Sequence, residues 1–182
     1  GLYRALLRLP DNGPEMLKRG QSYSLRYANL LLISLDVTDD IAVQRPWLEK
    51  VLQESDATWK IAVLHFPPYA LEQEYPEIER EWCTLFDQYH VDLALSGHVH
   101  YYLRTWPLRG GERMQNPSDG TLYLISVAIE GRSGEHAAPE YAEILNLDGR
   151  AVCVAFTVDG GHLEMNAYTA DGTVYDTFSL DK

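Results

Sequence analysis

The sequence predicts a layered α/β (α+β) protein in which a mixed sheet is followed by an antiparallel C-terminal meander. Three observations predict it: apolar runs that alternate with amphipathic helical segments, a later series of short strands, and Asp-Gly turns between those strands. The 182 residues suit one domain or the larger part of one. We therefore expect a single domain over residues 1–182, with 1–22 as a connector, 23–106 as the layered α/β part and 107–182 as the β-rich part.

Strands and helices are predicted to alternate in the first half of the chain. Continuous apolar runs predict strands covered on both faces, and apolar residues three or four apart predict helices. The elements are strands Tyr23–Tyr27 and Leu30–Val37 in a hairpin, helix Arg45–Ser55 with Pro46 in its first turn, strand Trp59–His65, helix Glu77–Tyr89 and strand Asp92–Ser96. This order is typical of parallel strands joined by crossover helices.

Strands without intervening helices are predicted after Trp106. A polar loop at Arg109–Gly120 comes first. The predicted strands are Leu122–Ala128, Tyr141–Leu147, Val152–Val158, Leu163–Thr169 and Val174–Leu180. Asp-Gly pairs, which favour hairpin turns, separate the last four: Asp148-Gly149, Asp159-Gly160 and Asp171-Gly172. These strands are therefore predicted to form an antiparallel meander.

Composition excludes several classes of function. The chain has 15 Lys and Arg against 27 Asp and Glu, for a formal net charge of −12, so bulk binding to nucleic acid or to an anionic membrane is not expected. No apolar run approaches the ~20 residues of a membrane helix. Cys83 and Cys153 are too few for a disulfide framework and are predicted to be buried thiols. The N-terminus, Gly1-Leu2-Tyr3-Arg4, carries no signal pattern, and we expect it to begin inside a longer gene product or at a processing site.

Three histidines follow two neighbouring buried strands. His65 ends one predicted strand, and Gly97-His98-Val99-His100 follows the next. Ligands of open α/β sheets gather at the carboxyl ends of the strands. Histidines two residues apart in extended backbone project to the same side, and Gly97 is expected to let the chain turn. Because neutral imidazole binds zinc, iron and similar ions, we predict His65, His98 and His100 as metal ligands.

Other interpretations of these and nearby residues stay open. Each histidine taken alone suits a structural role, and three histidines could also form a mononuclear zinc site. Tyr69, Tyr102 and Arg104 are candidates for substrate binding, with a structural ion pair as the alternative for Arg104. Asp36 is better explained as a turn or cap residue than as a residue that contacts the metal ligands without binding the metal.

Two segments around the histidines resemble the calcineurin-like metallophosphoesterases, and more closely their purple acid phosphatase branch. They are Ile61-Ala62-Val63-Leu64-His65-Phe66-Pro67-Pro68-Tyr69 and Leu95-Ser96-Gly97-His98-Val99-His100-Tyr101-Tyr102-Leu103-Arg104-Thr105. Three further segments are similar to that branch: Tyr23–Asn29 to its "YSF-x-YGN" hairpin with Ala28 in place of glycine, Trp47–Leu52 to "WL-x-x-x-L", and Gly120–Tyr123 to "GTVY". The likeness extends over most of residues 23–180.

The resemblance implies half of a layered α/β/β/α metallophosphoesterase sandwich and a site with two metal ions, which would be Fe, Zn or Mn. The histidines matching His65 and His98 hold one ion, and the one matching His100 holds the other. Two such ions clamp the oxygens of a phosphate monoester or diester and lower the pKa of the bridging water that attacks phosphorus. A secreted or periplasmic location is implied by the same likeness.

The chain also departs from the family. The earlier motifs, an aspartate-containing first motif, Gly-Asp and Gly-Asn-His, have no counterpart, and the loop Ala70–Pro76 has Glu74 and Tyr75 where plant-type enzymes carry histidines. We therefore expect a metal-dependent phosphoesterase whose missing N-terminal half lies upstream or on another chain. The alternatives are a non-catalytic fragment or degenerate half-domain that acts as a binding module and, more distantly, a mononuclear zinc hydrolase.

Overall fold

The computed structural model describes residues 6–126 and 134–182. The strands are β1 (Tyr23–Tyr27), β2 (Leu30–Leu35), β3 (Trp59–Leu64), β4 (Leu93–Ser96), β5 (Tyr102–Thr105), β6 (Leu108–Arg109), β7 (Glu112–Arg113), β8 (Leu122–Ile125), β9 (Ala142–Asn146), β10 (Val152–Asp159), β11 (His162–Thr169) and β12 (Val174–Asp181). The helices are α1 (Ile41–Gln53), α2 (Pro76–Ile78), a π-helical turn (Glu79–Cys83), α3 (Thr84–Tyr89) and a 3₁₀ turn (Pro117–Asp119). In these residues no helix is long and apolar enough to cross a membrane.

A mixed sheet in the order β1-β2-β3-β4-β8-β5-β9 forms the centre of the molecule. β2, β3, β4 and β8 run parallel, while β1 pairs with β2 and β5 pairs with β8 in antiparallel fashion. The predicted strands and crossover helices of the first half are thus confirmed, with strand ends that differ by at most two residues. Their apolar runs are covered on both faces, as parallel strands require.

The C-terminal meander is confirmed for β10, β11 and β12, which form a separate antiparallel sheet. The prediction that the two preceding strands belong to it is wrong, because β8 and β9 complete the central sheet. All four residues of β8 are buried, which a central strand provides, whereas exposure alternates along β10. Val127 and Ala128, at the end of the predicted strand, lie outside the described residues.

Glycines with positive φ form the turns before and within the meander. Gly160 and Gly172 have φ of 56° and 84°, a left-handed conformation that glycine adopts readily, and they close the hairpins of the meander. Gly149 also has positive φ, at 77°, but it links β9 in the central sheet to β10 in the meander. The hairpin predicted at Asp148-Gly149 is therefore wrong.

Three layers result, α/β/β, with helices on one face of the central sheet and the meander on the other. β2 shows the alternation, since Leu31 and Ile33 pack with the helices while Leu30 and Leu32 pack towards the meander. The helix core adds Leu48, Leu52, Trp82, Leu85 and Phe86, and the meander core adds Trp59, Ile61, Leu93, Leu163 and Leu180. The predicted α/β layering is confirmed.

The helices differ from prediction at their starts. α1 begins at Ile41 rather than Arg45 because the Asp40 carboxylate accepts a hydrogen bond from the Val43 amide at 3.1 Å and caps the helix. Pro46 consequently lies inside α1 and not in its first turn. The second predicted helix is present, but a π-helical turn interrupts it.

The two cysteines have different surroundings. Cys83 is buried, as predicted, and its burial raises the thiol pKa to about 12. Cys153 is exposed, so the prediction of a second buried thiol is wrong. Its neighbours on β10 show the reason: exposure alternates along this strand, and Cys153 lies on the face turned away from the central sheet.

One side of the β/β interface is left uncovered by the described residues. Among the described strands β10 pairs with β11 alone, so they leave its other edge free, and Phe156 and Val158, which face inwards, are only partly buried. The hairpin after β10 meets the turn between β1 and β2, where the Asn29 side-chain amide donates to the Gly160 carbonyl at 2.7 Å. Phe156 and Val158 belong to the cluster that contains Leu30 and Leu32 of β2. On the adjoining face of β1, Leu25 is 47% and Tyr27 77% exposed. We call this surface, formed by the free edge of β10 and the exposed face of β1 and β2, the open corner.

We predict that Ala28→Gly stabilises the protein. Ala28 lies in the β1–β2 turn with φ of 50°, where a residue with a side chain is disfavoured by about 1–2 kcal/mol and glycine is not. After the entropy that glycine loses on folding, we expect the free energy of unfolding to rise by up to about 1 kcal/mol in urea denaturation. Ala94→Gly in the buried strand β4 is the control and should lower it. A loss of stability in Ala28→Gly would contradict this account of the turn.

Candidate metal centre

Strand register brings two of the predicted ligands together. β3 and β4 are parallel, with Ile61 opposite Leu93 and Val63 opposite Leu95, so both strands end at the same edge of the sheet. The pairing continues one step further, since the Gly97 amide donates to the His65 carbonyl at 3.1 Å. The residues that follow the two strands therefore lie side by side, as the sequence predicts.

The imidazoles of His65 and His98 face each other. His98 Nδ1 lies 3.3 Å from His65 Nε2, and the rings meet edge to face with centroids 5.1 Å apart. Two nitrogens bound to one tetrahedral zinc at ~2.0–2.1 Å are themselves about 3.3 Å apart. Desolvation and the neighbouring His98 lower the pKa of His65, which keeps this imidazole neutral at neutral pH. Spacing and protonation both fit a shared metal ion.

The turn that carries His98 differs from the expectation. His98 has φ of 66°, and the Val99 amide donates to the Gly97 carbonyl at 2.8 Å, which together make a γ-turn centred on the histidine. Such strained backbone at a non-glycine residue costs about 1–3 kcal/mol. The predictions of extended backbone here and of Gly97 as the turning residue are therefore wrong. A Cβ on Gly97 would meet His65 at 3.6 Å, an ordinary contact.

His100 is exposed, and within the described residues it completes no three-donor group with this pair. It lines a pocket of about 240 Å³ with His98 and Glu72, whereas His65 lines a different pocket of about 490 Å³ with Asp36. Within residues 6–126 and 134–182, no group of three His, Cys, Asp or Glu side chains could hold a metal ion. The described residues thus offer two converging nitrogen donors, and His100 as a ligand stays a prediction.

Asp36 shapes the turn after β2. Its Oδ1 accepts hydrogen bonds from the Thr38 amide at 2.8 Å and the Thr38 hydroxyl at 2.6 Å, and its Oδ2 accepts one from the Gln21 side chain at 2.9 Å. These contacts agree with the turn role expected for it.

The predicted substrate-binding residues are placed in packed surroundings. Tyr69 meets Tyr123 and Tyr141, with ring centroids 4.7 and 5.5 Å away, and burial raises the pKa of its phenol. Tyr102 and Arg104 are buried on the meander side of β5. Their role in substrate binding stays a prediction, and in the structure all three side chains contact other parts of this chain.

Arg104 forms the ion pair given as its alternative role. Its Nε lies 2.7 Å from Asp176 on β12, its Nη1 contacts Glu143 on β9, and its guanidinium carbon lies 5.2 Å from the centre of the Phe178 ring. The Tyr102 hydroxyl donates to the same Asp176 carboxylate at 2.7 Å. This network ties the meander to the strand that leaves the histidine turn.

Two aromatic residues beside the histidines were not predicted as site residues. The Phe66 ring meets His98 edge-on with centroids 4.5 Å apart, and Tyr75 stacks on Phe66 at 5.0 Å with 11° between the ring planes. The signal was present in the sequence, because Phe66 follows a predicted ligand directly. A lone aromatic residue next to a turn is nevertheless more often part of the core, and only the structure shows which rings touch.

Comparison with known proteins decides the family. The sequence profile described as calcineurin-like phosphoesterase matches residues 9–102, more than half of the chain. The chain belongs to the calcineurin-like phosphoesterase family. This confirms the resemblance stated from the two histidine segments. Residues 61–69 lie inside the match, and residues 95–105 extend past its end at residue 102.

Similar proteins include purple acid phosphatases. The chain is 31% identical over 135 residues to the Fe(3+)-Zn(2+) purple acid phosphatase 12 of Arabidopsis thaliana, covering 67% of this chain and 26% of that protein. An uncharacterized protein of Mycobacterium tuberculosis is 31% identical over 131 residues, covering 59% and 25%. The fold matches a purple acid phosphatase from yellow lupin (Lupinus luteus) with a TM-score of 0.77 at 21% identity, covering 88% and 32%. The chain thus spans about a quarter of these sequence relatives.

We predict that Arg104→Met lowers the free energy of unfolding of this calcineurin-like phosphoesterase by about 3–5 kcal/mol, because it leaves the buried Asp176 carboxylate without its cation. Urea denaturation measures the loss. In Arg104→Met/Asp176→Asn the uncompensated charge is gone, so part of the stability should return. A single variant as stable as the parent protein would show that the pair contributes nothing to the joint between the meander and β5.

Proposed function

We propose that this chain is the C-terminal part of a metal-dependent phosphoesterase that hydrolyses phosphate monoesters or diesters. The observation that carries the proposal is the pair of converging donors, His98 Nδ1 and His65 Nε2, 3.3 Å apart at the carboxyl edge of the sheet. The family of the chain and the purple acid phosphatases among its relatives support it.

The histidines would divide between two ions. His65 and His98 would bind one ion together, since their nitrogens already have the separation that a shared ion needs, and His100 would bind the other. Iron, zinc and manganese all accept these ligands. When bound, the ions supply Lewis-acid chemistry at the phosphate ester and the attacking water. The role of this chain is to hold neutral imidazoles in place, and the strained turn at His98 fixes one of them.

The remaining ligands would come from polypeptide that covers the open corner. The described residues complete no three-donor group, and the chain lacks the earlier motifs of the family. A strand added to the free edge of β10 would complete the burial of the partly buried Phe156 and Val158, and it would lie against Leu25 and Tyr27. β10 begins beside the carboxyl end of β8, where the Ser126 hydroxyl donates to the Val152 carbonyl at 3.3 Å. One end of such a strand would therefore reach the edge of the sheet that carries His65.

A non-catalytic binding module is the second candidate. The absence of a three-donor group within residues 6–126 and 134–182 favours it, because a hydrolytic site with two ions needs more ligands than two converging imidazoles. Metal content and turnover of the complete protein separate the two candidates, since only the phosphoesterase requires both.

We predict that the complete protein contains about two metal ions per copy and hydrolyses p-nitrophenyl phosphate or its bis ester. His98→Ala and His100→Ala should each lose metal and lower kcat/KM by about 100-fold or more, because each removes a ligand. Elemental analysis and a colorimetric assay measure both quantities. His162→Ala is the control, since this exposed histidine pairs with Asp181 in the meander. Full activity in either site variant would overturn the assignment.

For the 182-residue chain alone we predict little or no turnover. The described residues leave the open corner uncovered and hold only part of a ligand set. The same assay applies, at equal metal and protein concentration. Turnover equal to that of the complete protein would contradict the proposed contribution of a covering segment.

A further inference from the structure

His98 has a backbone conformation that does not by itself fix its side chain. The γ-turn, with φ of 66° and the hydrogen bond from the Val99 amide to the Gly97 carbonyl, holds only main-chain atoms. The imidazole is exposed, and within residues 6–126 and 134–182 its nitrogen contact is with His65 Nε2 at 3.3 Å. Something else must restrict its χ angles if Nδ1 is to face His65.

Aromatic rings provide that restriction. Phe66 meets the His98 ring at a centroid distance of 4.5 Å and an angle of 65°, an edge-to-face contact. Phe66 is itself backed by Tyr75, stacked at 5.0 Å and 11°, so it has little room to rotate. Tyr75 also lies 6.4 Å from His98, and His65 closes the cluster at 5.1 Å. The exposed histidine ring thus contacts or adjoins three other rings on one side.

The contribution of Tyr75 comes from its ring. Its hydroxyl is buried and has no hydrogen-bond partner within the described part of the chain, which is unfavourable for folding. A phenylalanine here would keep the stack and remove the unpaired hydroxyl. Tyr75 immediately precedes Pro76, the first residue of α2, so the stacking residue is anchored to the start of a helix.

We propose that Phe66 and Tyr75 are positioning residues for His98, a stacked pair that holds its imidazole with Nδ1 towards His65 and so prepares the shared donor pair. The metal in this inference comes from the proposed function, on which that part rests. The orientation of the His98 ring is inferred from the ring contacts alone. Neither residue touches the metal or the substrate in this role. Phe66 acts directly on His98, and Tyr75 acts through Phe66.

Two measurements on the full 182-residue chain test the proposal. The first is nuclear Overhauser contacts between the His65 and His98 rings in the metal-free protein. The second is Zn²⁺ affinity by calorimetry. Phe66→Leu and Tyr75→Leu should lose the ring contacts and weaken Zn²⁺ binding by about 10- to 100-fold, the effect typical of residues that orient ligands. Tyr75→Phe should retain both properties of the parent chain.

Controls separate positioning from folding. Phe178→Leu, a partly buried ring in the meander, should change thermal stability as much as Phe66→Leu while leaving the histidine contacts and Zn²⁺ affinity unchanged. Intact histidine contacts in both leucine variants would overturn the proposal, as would a Tyr75→Phe variant as impaired as Tyr75→Leu. The histidine contacts in the variants decide the positioning role even if the two-donor chain binds Zn²⁺ too weakly to measure, whereas the metal content of the complete protein tests the proposed function.

Discussion

The parallel pairing of β3 with β4 is the constraint on which the site depends. Val63 lies opposite Leu95, so the residues two positions further along, His65 and Gly97, lie level with each other just beyond the strand ends and join by a main-chain hydrogen bond of 3.1 Å. A slip of one residue would exchange the side chains that pack on the helices with those that pack on the meander, and both cores would be disrupted. Register is therefore enforced by burial on both faces, and the meeting of His65 and His98 follows from it.

The meander fixes the position of the chain that follows the histidine turn. β5 begins two residues after His100, and the buried Arg104 on it is bound to Asp176 of the meander. A buried ion pair is weak evidence for net stability, but it tolerates few geometries, because each unpaired charge would be costly. The chain on both sides of the histidine turn is consequently attached to buried structure, while the turn itself is exposed.

Much of this arrangement could be predicted from the sequence because it depends on local patterns. Apolar runs identified β2, β3 and β4, and the residues directly after them identified the edge where His65 and His98 lie. The placement of β8 could not be predicted in the same way. Its run Leu122–Ile125 looks like any buried strand, and its partners β4 and β5 are chosen by tertiary packing rather than by its own residues.

The details of the candidate site were less accessible for a related reason. Gly97 is the obvious turning residue, yet the positive φ falls on His98, and contacts from Phe66 and Tyr75, distant in sequence from His98, accompany that conformation. The prediction that Cys153 is buried was wrong for an equally non-local reason. The alternation along a strand indicates that one face is covered, but not which face. Sequence patterns thus predicted which residues meet and not the geometry of their meeting.

The proposed site needs ligands of two kinds, imidazoles from this chain and anionic groups from elsewhere. His65 and His98 bring neutral nitrogens, and neither compensates the charge of a metal ion. The nearby carboxylate of Asp36 is already bound to the Thr38 amide and hydroxyl. Carboxylates are the usual ligands that complete iron and manganese sites. In the proposed assembly, anionic ligands therefore come from the polypeptide that covers the open corner, while this chain supplies imidazoles already oriented by folding. Side chains that are already positioned lose less conformational freedom when a metal binds. This is the physical advantage of the strained turn and of the ring contacts that hold His98.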